Sequence, residues 1–259
     1  MIDADSKREN SYRLCQIPEE DEISEYQKEN FDQFFDPDLL EDELKDWKDI
    51  IIIDRPEDGK SDEEIGFLYE QNITRAVEFI TKELLLILVE LRMLPNSDPL
   101  MNLFDLGMLF VNLKKFVDED QAGDSITDDD GVTIINLSTD CILPLLTLTQ
   151  EDPLFHKTKA SIVRTLSHEL FHRYLDERYK VAAAKTEAAS KDPEKDFAAF
   201  TKYLKDRGEI AANLYEVKHL CERAKQIKNS DANLSLALNQ EAELSREEAE
   251  FRTNAKINN

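Results

Sequence analysis

Two histidines stand four positions apart around a glutamate, in the run His168-Glu169-Leu170-Phe171-His172. This run constrains the fold more than any other part of the chain. Residues four apart share one face of an α-helix and lie about 6 Å apart along its axis. On a helix, both imidazoles can therefore turn toward one point. At about 100° per residue, Ile162, Val163, Leu166, Leu170 and Tyr174 fall on the opposite face. The helix is therefore expected to bury that side and to present His168 and His172 to a cleft.

Two imidazoles so placed can hold one zinc ion. Glu169 lies next to His168 but about 100° round the helix, so it points beside the metal and not at it. Zinc lowers the pKa of its water toward ~7, and a carboxylate at that position can take the proton. The HExxH pattern thus predicts Zn2+ bound by His168 and His172, with Glu169 as the catalytic base. Among only 4 histidines in the chain, this spacing is not a common accident of composition.

A zinc peptidase needs a third protein ligand. The sequence GEIAANLYEVKHL at 208–220 offers Glu209 and Glu216, seven apart on one helical face. Asn213 lies four residues after Glu209, from where its amide could orient a metal-bound imidazole. Glu216 has Leu220 at that offset, which cannot. The spacing favours Glu209 as the ligand, with Glu216 the alternative. Tyr215 and His219, on the same helix, are weaker candidates as donors to a developing oxyanion. His156 reads as solvated, Arg164 as a local salt-bridge partner and Cys221 as a packing residue.

HELFH followed by a helix reading E-x-x-A-N resembles the gluzincin metallopeptidases, most closely the minimal ImmA/IrrE type. The resemblance covers about residues 131–220. It implies a zincin-like fold, a zinc-dependent endopeptidase activity, and Glu209 as the third ligand with Asn213 behind it. It also implies that residues 132–138, VTIINLS, form the edge strand that lines the cleft and could pair with an extended peptide.

Charge narrows the partners. Lys and Arg total 32 against 56 Asp and Glu, a formal net charge of -24. Such a surface repels nucleic acid and anionic lipid, so direct nucleic-acid or membrane binding is not expected; the expected partner, a protein or peptide substrate, comes from the metallopeptidase resemblance. The most apolar stretch, Leu84–Leu94, is interrupted by charge and too short to span a bilayer. Cys15, Cys141 and Cys221 are scattered and odd in number, which suits a reducing compartment. The N-terminus carries no secretory signal pattern. Both point to the cytoplasm.

The sequence divides into an acidic N-terminal extension (1–60), a minimal metallopeptidase domain (61–229) and a charged C-terminal helix or tail (230–259). Ile50–Ile53 is a β-branched run read as one strand. Ser61 and Glu64 form a capping-box pattern that opens a helix ending near Pro95. A second helix is expected over 98–117, then a polar acidic loop over 118–131. Asp152 and Pro153 start the active-site helix, which runs to about Tyr179; residues 180–193, rich in Ala, Lys and Glu, could extend it or form a mobile link. Two helices, 194–206 and 209–228, follow, with Gly208 between them. The expected fold class is α+β: mainly helical and zincin-like, with a small sheet and an active-site helix. The competing function is a zincin-like scaffold or regulatory binding protein without hydrolytic activity.

Overall fold

A computed structural model of the chain describes residues 35–54, 61–92, 109–117, 121–127, 132–189 and 193–257. Expectations for residues 1–34 and for the acidic run at 128–130 lie outside these. The described residues form a mostly helical α+β structure with one small sheet. The helices are α1 (Pro37–Asp46), α2 (Lys48–Asp54), α3 (Asp62–Arg92), α4 (Thr139–Thr147), α5 (Pro153–Ala189), α6 (Pro193–Ile227) and α7 (Ala232–Ile257). The strands are β1 (Leu109–Lys114), β2 (Gly123–Thr127) and β3 (Thr133–Ser138).

Helix α3 begins as its capping box dictates: the Glu64 N–H donates to Ser61 Oγ at 3.2 Å, and the Ser61 N–H donates to Glu64 Oε2 at 2.9 Å. Each satisfies a backbone donor that a helix start leaves unpaired. Its apolar residues recur at three- and four-residue steps: Ile65 is buried, and Tyr69, Ile73, Ala76, Ile80, Leu84, Ile87 and Leu91 join the main core. Asn72 carries the helix's polar duty inside: its Nδ2 donates to the carbonyls of Leu146 and Leu148, both at 3.1 Å. These carbonyls stand at the end of α4, where a helix has no N–H donors of its own to offer them.

Several expectations are overturned. Residues 50–53 are helical, in α2, because that short helix tucks against α3 and buries Ile52. The part of 98–117 that is described holds strand β1, whose alternate residues Leu109, Val111 and Leu113 are buried. Burial every second residue is strand geometry, not helix geometry. The polar stretch read as a loop contains β2. The break expected at Gly208 is absent, because α6 runs unbroken through it. Of the two alternatives for residues 180–193, the structure takes the helical one as far as Ala189, in α5.

The sheet order is β1-β3-β2, with β1 parallel and β2 antiparallel to β3. The VTIINLS segment is therefore the central strand, not the edge strand, and this is why most of its residues are buried. Glu43 covers part of the β1 side, accepting the Leu113 N–H at 3.0 Å.

Helix α5 sits at the centre of the molecule, against α3, α4, α6, α7, β2 and β3. Ile162, Leu166, Leu170 and Tyr174 join the core under the sheet, while Ala160 and Val163 join a second apolar cluster with α6 and α7. The face expected to be buried is buried. The C-terminal segment, set apart in sequence by its charge, forms α7 and packs along α6 and α5 through Leu234, Ala237, Leu238 and Ala242.

Candidate metal centre

The four-residue step on α5 brings His168 Nε2 and His172 Nε2 to 2.8 Å from each other. Helix α6 crosses at this level and supplies Glu209. One of its carboxylate oxygens lies 3.4 Å from His172 Nε2 and the other 3.7 Å from His168 Nε2. One ligand atom from each of the three residues lies within 4.8 Å of the others, an arrangement able to hold a metal ion. Two ring nitrogens and a carboxylate this close repel unless a proton or a cation lies among them. Zinc at about 2.0–2.1 Å from each donor in a tetrahedral site spaces its ligands by roughly 3.3 Å, and the separations seen bracket that value. The donor set of two imidazoles and a carboxylate fits zinc.

The second ring nitrogen of His168 is also held. Nδ1 faces Glu216 Oε1 in a close hydrogen bond. A carboxylate only accepts, so Nδ1 carries a proton toward Glu216, and Nε2 is the nitrogen turned to the shared point. Glu216 is 1% exposed in its side chain. Burial alone would raise its carboxyl, but His168, Ser245 and Arg164 outweigh that and hold it below the usual range. Burial likewise works against the charged form of His168, yet hydrogen bonds to Glu209 and Glu216 raise its imidazole to about 10. Glu209 is held far below the ordinary carboxylate range by its hydrogen bonds to His168 and His172.

This geometry corrects the role expected of Asn213. Its side chain is buried beside the site, but neither amide atom has a hydrogen-bond partner, so it orients no imidazole. Glu216 performs that task for His168 from three residues further along the helix. Tyr215 and His219 do not line the cleft: Tyr215 Oη donates to Glu90 at 3.1 Å and His219 Nδ1 lies 2.7 Å from the same carboxylate, all of them buried. His156 is not solvated. Its ring nitrogen pairs with the Gln150 carbonyl at 2.9 Å, and its side chain is only 12% exposed.

Glu169 lines the same cleft, a cavity of about 420 Å³ that also takes in His168, Glu209, Asn213, Glu216 and Arg164. Its Oε2 accepts a hydrogen bond from Ser125 Oγ on β2 at 2.7 Å. Sequence reasoning missed Ser125, and no signal marked it. Arg252 and Glu248, from α7, were also missed. Both line the cavity, and Arg252 approaches Glu209 at 3.8 Å. Arg164, expected to pair locally, instead reaches three carboxylates on two other helices.

Among the described residues, no helix is long and apolar enough to cross a membrane. Comparisons with protein-family models, with curated proteins and with solved structures find no match.

Proposed function

We propose that the chain is a zinc-dependent endopeptidase of gluzincin type, acting on a protein or peptide in the cytoplasm. The observation that carries the reading is the convergence of His168, His172 and Glu209 on one point, with Glu169 on the wall of the same cleft. A zinc ion held there would polarise a peptide carbonyl and acidify a water molecule. Glu169 stands where it can take that proton and pass it to the leaving amine, and Ser125 fixes one of its oxygens. Glu216 keeps the His168 ring turned so that Nε2 faces the shared point.

The edge-strand role expected of residues 132–138 passes to β2. Among the described residues, β2 is paired on one side only, with β3. On this reading, an extended peptide would add to its other side as a further strand.

Metal content of the purified protein, compared with Glu169→Gln, tests the reading. Wild type and Glu169→Gln should each carry one zinc, and His168→Ala none. A peptide library read by mass spectrometry should show cleavage by wild type that a chelator abolishes. Glu169→Gln should lose at least about 10²–10⁴ of that rate. Zinc retained in full by His168→Ala would remove the proposed centre. Zinc-loaded wild type that cleaves nothing across broad libraries would favour the binding scaffold.

A further inference from the structure

Arg164 lies one turn before His168 on α5, and the sequence offers nothing to set it apart from other surface arginines. In the structure it is enclosed by carboxylates. Its Nε donates to Glu216 Oε2 at 3.1 Å, its Nη1 to Glu241 at 3.4 Å and its Nη2 to Glu248 at 3.0 Å. Glu241 and Glu248 belong to α7, two turns apart on one face. A third α7 residue reaches the same point: Ser245 Oγ donates to Glu216 Oε2 at 2.5 Å.

The two oxygens of Glu216 are thus divided between tasks. Oε2 receives Arg164 and Ser245, while Oε1 faces His168 Nδ1. Two donors on one oxygen fix the rotation of a carboxylate, which otherwise turns easily about its last torsion. With Oε2 pinned, Oε1 has one place to be, against the imidazole. The planar guanidinium suits this because its donors point in fixed directions and can meet three carboxylates at once.

We propose that Arg164 is a positioning residue for the zinc site, acting through Glu216, and that Ser245 makes helix α7 part of the same device. This inference rests on the reading of His168, His172 and Glu209 as zinc ligands. An arginine that only stapled three helices would have no reason to grip the one carboxylate that holds a ligand ring.

The test uses the full chain and two readouts: zinc affinity by competition with a chromogenic chelator, and the His168 Nδ1–H proton resonance in protein stripped of metal. Arg164→Lys keeps the charge but loses the fork. It should weaken zinc by about 10-fold, at the low end of losses seen for residues behind metal ligands. Ser245→Ala should weaken it several-fold. In both variants the Nδ1–H signal should move from its carboxylate-bonded position and broaden by exchange with water. In a Glu216→Gln background, Arg164→Lys should add no further loss, because its route to the metal is already cut.

A folded Arg164→Lys with wild-type zinc affinity overturns the proposal. So does an equal loss in both backgrounds, since Arg164 would then act on the site by another route. If Arg164→Lys does not fold, Ser245→Ala decides: unchanged affinity and an unchanged Nδ1–H signal overturn the proposal. If wild type binds no zinc, the proposed function fails. The Nδ1–H signal then still decides whether Arg164 and Ser245 position His168.

Discussion

Ser125 Oγ donates a hydrogen bond to Glu169 Oε2 at 2.7 Å across 44 positions of sequence. It joins the edge strand β2 to the carboxylate beside the histidine pair. The bond ties the surface on which a peptide could lie to the group proposed to act on it.

Ser125→Ala should therefore lower kcat/KM without touching the metal. A hydrogen bond to a carboxylate contributes about 1.5–3 kcal/mol at most. Water can replace part of it at this half-buried position, so the expected loss is about tenfold. Zinc content and melting temperature should stay near wild type. A variant with full activity would show that Glu169 needs no such support.

The two α6 glutamates and Asn213 can be ranked by zinc affinity. Glu209→Gln should be the weakest binder, because a ligand atom is lost. Glu216→Gln should cost about 10–100-fold, the range for residues that orient a ligating imidazole. Asn213→Ala should cost little, since its amide touches neither histidine. Removing a buried amide that has no partner can be neutral or stabilising. An Asn213→Ala loss equal to that of Glu216→Gln would contradict the geometry.

Acid should weaken the contact between α3 and α6. Burial pushes the Glu90 carboxyl up, but hydrogen bonds and charges from His219 and Lys218 outweigh it and leave it below its ordinary value. A carboxyl lowered in the folded state stabilises the fold above its unfolded pKa of about 4.5. That contribution is lost as pH falls from there through the folded value. Glu90→Gln should accordingly be less stable than wild type at pH 7. The gap in unfolding free energy should narrow below about pH 4.5. A gap that stays constant down to pH 3 would mean that Glu90 contributes no charge-dependent stability.

Gly123 opens β2 where the strand meets α5. A Cβ there would lie 2.5 Å from Thr165 Cγ2 and 2.7 Å from the Asn136 carbonyl oxygen. The methyl could turn away, but the backbone oxygen cannot, so Gly123→Ala should displace the strand. Overpacking of this kind costs about 1–3 kcal/mol, readable by denaturant titration. Cleavage should fall as well, because Ser125 moves with the strand. Adding Thr165→Ser should not restore either, since the Asn136 contact remains. Full recovery in the double variant would locate the clash in the side chain alone.

Helix α5 was legible because its two requirements agree: the histidine spacing and the apolar stripe opposite it, which the core buries. Glu209 was legible through its neighbours, though for a reason the structure does not support. The Asn213 offset singled it out, yet Asn213 has no partner, and Leu220 counted against Glu216 although Glu216 itself holds the imidazole. Strand β2 was hidden by its polarity. GDSIT carries a single large apolar residue, Ile126, and that residue is 53% exposed. An edge strand of this kind takes its order from pairing with β3, which no local pattern records. Residues 50–53 erred the other way: β-branched propensity is weak beside the burial of Ile52 against α3. The part played by α7 could not be read at all, because Glu241, Ser245 and Glu248 look like any solvated helix face until Arg164 is placed among them.

The reach of Arg164 spans 84 positions to Glu248, and this fixes an order of events during synthesis. A ribosome delivers the histidine pair first, Glu209 and Glu216 later, and the α7 residues after both. A nascent chain bearing HELFH has neither its third carboxylate nor the arginine cluster that steadies the ring of His168. On the proposed function, the ring of His168 is not fully steadied until the last helix has been made. Chains ending just before Glu241 should hold zinc about tenfold more weakly than the full chain. On that reading, the order of translation itself would hold back tight zinc binding until the chain closes around its site.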